Sequence, residues 1–192
     1  MTGKPSKLET RNHSKVNKMK FDRSIVQTTF QSPLGKMIIA ATDKGLAGTW
    51  FAGQRHLPSQ LVEPYVWPED ANHPVLKQAI AQLTEYFAGT RTVFDLPLDL
   101  DYGTPFQQTV WQALLAIPQG GTTSYGELSS RIGKPAAVRA VGAAIGRNPV
   151  SVIVPCHRVL GADGSLTGYA GGLDKKTALL KLEGALMKET LT

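Results

Sequence analysis

The stretch 148–159, NPVSVIVPCHRV, holds the only cysteine of the 192-residue chain and sets it directly before a histidine and an arginine. A single cysteine forms no internal disulfide, so the fold must be held by a packed core, and the chain is long enough to bury one without a disulfide or a metal. The apolar residues Val150, Val152, Ile153 and Val154 predict a strand that carries Cys156 out of that core. Pro155 has no N–H to donate and ends any sheet pairing just before the thiol. His157 and Arg158 predict an electropositive setting that favours thiolate, the nucleophilic form. A buried cysteine acting as a small hydrophobe is the structural alternative. The Pro-Cys-His-Arg neighbourhood tips the reading towards a nucleophile.

Upstream, the pattern predicts an antiparallel meander: strands over 24–30, 37–42 and 46–51, with turns at Ser32-Pro33-Leu34-Gly35 and Asp43-Lys44-Gly45. The proline-punctuated stretch 53–72 reads as an irregular connection. A helix follows, with Asn72 as its cap and Pro74 in its first turn. It presents Leu76, Ile80, Leu83 and Phe87 on one stripe and stops at Gly89. A short strand is expected over 92–96. Nothing in this half marks a catalytic group, and His13, His56 and His73 read as ordinary loop histidines, so no metal site is expected.

The second half opens on two capping boxes, Thr104-Pro105-Phe106-Gln107 and Ser124-Tyr125-Gly126-Glu127. The first starts a helix bearing Phe106, Val110, Ala113, Leu114 and Ile117 and ended by Pro118. The second starts a short helix stopped by Gly133. With a further helix over 136–146 they outline a helix-turn-helix. Val138, Val141 and Ile145 are expected to face inward there, leaving Ala136, Arg139, Ala140 and Ala143 outward. Small side chains around one arginine suit close approach to a second body, although alanine is also simply a good helix former. The glycine-rich loop 161–172 frames Tyr169 and Ala170, and a last amphipathic helix over 173–184 sets Glu183 one turn from Leu179 and Leu180.

The formal net charge of +6 is unevenly spread. Residues 1–23 carry seven Lys/Arg against Glu9 and Asp22 and are poor in apolar anchors, predicting a disordered basic tail. Residues 104–192 carry nine Lys/Arg against five acidic residues, whereas 24–103 is net acidic. The cysteine half thus has the charge of a polyanion binder. No apolar run is long enough to span a membrane, no secretory signal is evident, and a free thiol fits a reducing cytoplasm. The fold class is α+β: a basic tail (1–23), a small N-terminal domain with a three-stranded antiparallel sheet and helix (24–103), and a mostly helical C-terminal domain containing the helix-turn-helix (104–192).

Pro155-Cys156-His157-Arg158, preceded by Asn148-Pro149 and followed by Gly168-Tyr169-Ala170-Gly171-Gly172 and the Leu-Leu-x-x-Glu ending in Glu183, resembles the O6-alkylguanine-DNA alkyltransferases of the single-domain bacterial type. The resemblance implies direct-reversal DNA repair without a cofactor, in which Cys156 takes the alkyl group of O6-alkylguanine, and of O4-alkylthymine, irreversibly and once per molecule. It further implies a Glu183-His157-water-Cys156 proton relay, Asn148 as a hinge, and Tyr125 as proton donor to the departing base. The Val159 carbonyl, Tyr169, Ala170 and Gly171 would contact the base. Arg139 would fill the stack that the extruded nucleotide leaves, with Ala136 and Ala140 lying against the minor groove of alkylated duplex DNA. A monomer at the nucleoid is expected, with cooperative binding left open. The cysteines of zinc-binding relatives and of those fused to a cysteine-rich domain are missing, Cys156 stands where non-repairing relatives carry tryptophan, and Ala170 replaces a serine of some relatives. A helix-turn-helix regulator without alkyl transfer and a Cys-His hydrolase are the alternatives from other classes.

Overall fold

The structure, a computed structural model, describes residues 21–61 and 66–187. Most of the expected basic tail lies outside the described residues, but its last part is anchored. The Phe21 ring sits 4.1 Å from that of Tyr102 and 4.8 Å from that of Trp67, in a small aromatic cluster with Trp50.

The meander forms as the alternation of turn and apolar residues predicts. Strands β1 (Val26–Ser32), β2 (Gly35–Thr42) and β3 (Gly45–Phe51) pair antiparallel in that order. Ser32 closes the first turn, its hydroxyl donating to the Gly35 carbonyl and accepting from the Leu34 N–H. Helix α1 (Pro74–Phe87) packs Leu76, Ala79, Leu83 and Tyr86 against the sheet. Its N-cap is His73 rather than Asn72, and no side chain caps it. No strand forms over 92–96. Instead Gln82 on α1 brackets Asp95, accepting from its N–H and donating to its carbonyl at 2.8 Å each, so side-chain amides satisfy that backbone locally.

Both capping boxes are present, at Thr104 on α2 (Pro105–Leu115) and at Ser124 on α3 (Tyr125–Arg131). Helix α4 (Val138–Gly146) begins two residues later than expected, because Pro135 and Ala136 form a turn before it. Val141 and Ile145 face inward, whereas Val138 is 38% exposed and belongs to the outer face. The Trp111 indole N–H donates to the Ala144 carbonyl at 2.9 Å and fastens α2 to α4. A two-strand parallel ribbon, β4 (Thr123–Ser124) with β5 (Val159–Leu160), and helix α5 (Leu173–Leu182) complete this half.

The stretch 150–154 is not a strand. It winds through turns, with Val152 in the left-handed region at φ 74° and the Val154 N–H returning to the Val150 carbonyl. That conformation costs a β-branched residue about 1–3 kcal/mol, and total burial of its side chain opposes the cost. What fixes the stretch is the free edge of β3. Thr49 donates its N–H to the Pro149 carbonyl at 2.9 Å, accepts from the Ser151 N–H at 3.0 Å, and donates its hydroxyl to the Ser151 carbonyl at 2.6 Å. An edge that would otherwise expose unpaired backbone thereby holds the segment leading to Cys156. Thr49→Val keeps the shape but removes the hydroxyl donor from a buried carbonyl. It should lower stability by about 2 kcal/mol, read as a fall in Tm of roughly 4–8 °C in thermal unfolding.

Candidate active site

Cys156 opens a short 3-10 turn, Cys156–Arg158, directly after the turn pinned by β3. Asn148, just past the end of α4, fixes the turn's shape. Its amide donates to the Val154 carbonyl at 2.8 Å and to the Cys156 sulfur at 3.0 Å, while its oxygen accepts from the Val150 N–H. The turn projects its side chains apart, the thiol towards a cleft and His157 and Arg158 into the protein, where both are buried.

Beneath the turn, Glu183 forms a hub at the C-cap of α5. Its Oε1 accepts from His157 Nε2 at 2.8 Å, from Arg158 Nη2 at 2.8 Å and from the Tyr86 hydroxyl at 2.7 Å; its Oε2 accepts from Arg158 Nε at 2.9 Å. Burial alone would push this carboxyl up, but the bonds from His157 and Arg158 prevail and hold it down to about 2. A carboxylate only accepts, so His157 carries its proton on Nε2 and leaves Nδ1 as an acceptor. Nδ1 is buried and has no protein partner among the described residues. Burial, with the nearby Arg158 and Lys176 charges, pulls the imidazole below its ordinary value despite the carboxylate. The ring is therefore neutral near pH 7 and free to take a proton.

The expected electropositive activation of the thiol does not hold in the resting protein. Burial pushes the Cys156 thiol up, with the Asn148 bond and the Lys176 charge offsetting only part of that rise. Arg158 does not help, because its guanidinium is committed to Glu183 and to the Ile117 carbonyl. The resting thiol is protonated, so an acceptor must remove its proton before it can attack.

The cleft that Cys156 faces has a volume of about 280 Å³. Tyr125, Tyr169 and Ala170 line it with the glycine-rich end of α4. The Tyr125 hydroxyl donates to the Thr167 carbonyl at 3.2 Å, and burial pushes it up, so it stays protonated and able to donate. Gly171 is not part of this wall. A Cβ there would come within 2.8 Å of the Tyr169 ring and 3.0 Å of Phe51, so its missing side chain lets Tyr169 pack. The Val159 carbonyl accepts from Lys176 Nζ at 2.5 Å, leaving one lone pair for any further donor. Arg139 and Ala140 lie exposed on α4, and Ala136 lies exposed in the turn before it.

Three further contributions come from residues outside the motifs that mark the site. Lys176 is fully buried, its ammonium donating also to the Thr167 and Gly168 carbonyls, and burial lowers it to about 8. Its spacing from Leu179, Leu180 and Glu183 puts it on the inward stripe of α5, and that was the available signal. Tyr86, from the half that showed no catalytic mark, reaches Glu183 across the core. Arg55 and His56, from the connection after β3, line the Cys156 cleft, so His56 is not the ordinary loop histidine expected. Among the described residues no group of three or more metal-ligating side chains gathers, and no helix is long and apolar enough to cross a membrane. His13 lies outside the described residues.

The chain is similar to known proteins along most of its length. Residues 105–185 match the family model described as 6-O-methylguanine DNA methyltransferase, DNA binding domain, and residues 25–100 match its ribonuclease-like domain. A methylated-DNA–protein-cysteine methyltransferase of Mycobacterium bovis is 48% identical over 164 residues, spanning 85% of this chain and 95% of the relative. One from Methanosarcina acetivorans is 47% identical, spanning 81% and 96%. The crystal structure of Mycobacterium tuberculosis OGT in complex with DNA superposes with a TM-score of 0.72 at 47% identity, covering 82% of this chain and 91% of that one.

Loss of the hub's charge has a signed consequence. Glu183 titrates lower in the folded chain than its ordinary 4.5. The stabilisation is therefore complete above that value and is lost as pH falls towards 2. Glu183→Gln should cost about 3–5 kcal/mol at pH 7 by stranding Arg158, and urea unfolding from pH 7 to pH 2 should show a flatter acid limb than wild type.

Proposed function

The chain belongs to the methylated-DNA–protein-cysteine methyltransferases, which repair DNA by alkyl transfer, and from that membership we propose how its own residues perform the reaction. The alkyl acceptor is Cys156. The carrying observation is that the chain's one cysteine faces a cleft and is followed directly by a neutral histidine whose second ring nitrogen has no protein partner among the described residues.

The thiol proton passes through a bridging water to His157 Nδ1, while Glu183, kept anionic by Arg158 and Tyr86, steadies the imidazolium that forms. The Cys156 thiolate attacks the alkyl carbon from the side opposite O6. A sulfur–carbon bond forms, the carbon–O6 bond breaks, and its electron pair goes to the purine. The Tyr125 hydroxyl donates a proton to that purine, so a neutral guanine leaves; solvent then reprotonates Tyr125 and takes up the proton held by His157. The Ala170 backbone N–H, the remaining lone pair of the Val159 carbonyl and the Tyr169 side chain bind the base. Asn148 keeps the sulfur aimed into the cleft. A thioether resists hydrolysis, and the protein is consumed one molecule per lesion. O4-alkylthymine enters the same cleft.

An alkyl group on O6 is sealed inside the duplex, so the nucleotide must be extruded at a cost of roughly a few kcal/mol. Helices α3 and α4 act as a helix-turn-helix whose outer face, Ala136, Ala140 and the exposed Val138, approaches the minor groove closely, while Arg139 fills the vacated stack. The division at 103–104 separates this DNA-facing half from the half that supplies the sheet edge and Tyr86. The protein acts as a monomer at the nucleoid. A regulator without alkyl transfer and a hydrolase are set aside by the family.

Incubation with duplex O6-methylguanine should add one methylene unit to the peptide containing Cys156, saturating at one per molecule by mass spectrometry; a protein left unmodified while the lesion disappears refutes the assignment. Arg139→Ala should slow transfer from duplex by about tenfold or more but change transfer from single strands little, since only the duplex has a stack to refill. Equal slowing in rapid-quench measurements on both would remove Arg139 from that role.

A further inference from the structure

The rim of the Cys156 cleft carries two arginines and a histidine that the reaction described above does not use. On one side Arg147 follows the last residue of α4 and is exposed. On the other, Arg55 and His56 come from the connection after β3 in the N-terminal half. The backbone N–H of Arg55 donates to the Ala170 carbonyl at 3.1 Å and its guanidinium to the Tyr169 carbonyl at 3.3 Å, which docks this connection onto the wall of the cleft. His56 adopts φ 61°, a left-handed conformation sparsely populated outside glycine, and thereby reaches the mouth. After burial, the charges of Arg147 and Arg55 are what depress His56, so both guanidinium groups lie close enough for the imidazole to feel them.

Among the described residues no carboxylate lines this cleft. Among the described residues the ion pairs are Lys44 with Asp101, Arg91 with Glu85, and those at Glu183, so neither Arg55 nor Arg147 has an acidic partner. Like charges held together without a counter-anion repel, and they persist where an incoming anion neutralises them. A nucleotide that enters base-first to reach Cys156 leaves its two flanking phosphates at this mouth. We propose that Arg147, His56 and Arg55 form an anion clamp that grips a backbone phosphate beside the extruded nucleotide, so that both halves of the chain hold the substrate strand. The clamp rests on the alkyl-transfer reading for the identity of that strand. It adds a holding point away from the outer face of α4, acting after extrusion. Arg55 also braces the cleft wall, so the removable members are Arg147 and His56.

The test uses the full chain with Arg147→Gln, His56→Asn, whose asparagine tolerates the left-handed conformation, and the double variant. Rates of alkyl transfer to Cys156 are compared on a duplex containing O6-methylguanine, on a duplex containing O6-carboxymethylguanine, and on the free base O6-methylguanine, which has no phosphate. The double variant should lose about tenfold or more on both duplexes, less than twofold on the free base, and should reduce the logarithmic salt dependence of duplex affinity by about one. Unchanged rates on DNA overturn the clamp. So does an equal loss on the free base, which would make these residues part of the pocket's shape. A loss confined to the carboxymethyl substrate also overturns it, by assigning the cations to an acidic adduct instead of the strand. If wild type transfers nothing from any substrate, the alkyl-transfer reading fails. The clamp is then decided by duplex binding, where the same variants must lower affinity and salt slope or the clamp fails as well.

Discussion

Everything at the centre of this protein is arranged around one buried carboxylate. Glu183 accepts four hydrogen bonds from three side chains that arrive from separate parts of the chain: Tyr86 from α1, and His157 and Arg158 from the cysteine turn. Arg158 carries the connection further, to the Ile117 carbonyl at the end of α2. An ion pair this deep adds little net stability over an apolar core of the same shape, because desolvation consumes most of the attraction. What it confers is definition. Each partner can sit only where its bond to the carboxylate is made, so the histidine ring is fixed in orientation, tautomer and protonation.

That definition matters because the thiol itself is not activated in advance. A cysteine held as thiolate by a neighbouring cation would be exposed to oxidation whenever the cleft was empty, and a protein that uses its sulfur once has no means of discarding a spoiled one. Here burial keeps Cys156 protonated, and the guanidinium beside it in sequence is turned away to serve Glu183. In the proposed reaction the proton goes instead to the neutral His157, whose Nδ1 has no protein partner among the described residues. Lys176 plays the complementary part. Its ammonium is spread over the Val159, Thr167 and Gly168 carbonyls, gathering the walls of the cleft, and its charge lowers the cost of the thiolate once it forms.

Local chemistry made much of this fold legible. The meander, both capping boxes and the boundaries of α2, α3 and α5 follow from short-range rules, and the structure keeps them within a residue or two. Cys156, His157, Asn148 and Glu183 were readable from the resemblance, and the structure brings them together. The misreadings share one cause. Residues 150–154 have the composition of a strand but are stapled sideways to the edge of β3 by Thr49, a partner a hundred residues away, and Val152 is forced to positive φ. Residues 92–96 lose their strand to side chains on α1. Lys176 and Tyr86 resemble a surface lysine and a core aromatic in sequence, and only tertiary packing shows that each has a carbonyl or carboxylate as its target. Pattern reports what a segment prefers; it is silent on which distant group outbids that preference.

The same long-range contacts explain why a half with no catalytic motif is needed. The C-terminal half contains Cys156, His157 and the Glu183 hub, yet in isolation it would leave the 149–151 backbone unpaired where β3 now receives it, and Glu183 without the Tyr86 hydroxyl. Buried polar groups lacking partners cost about 1–3 kcal/mol each, a sizeable share of a domain's net stability. The turn that aims the sulfur is strained at Val152 and cannot bear such losses without relaxing. The sheet edge therefore acts as the external template for the cysteine turn, and the loop leaving that sheet, docked through Arg55, forms one wall of the cleft. Substrate geometry and nucleophile geometry are set from the same strand, which ties the width of the cleft to the aim of the thiol within it.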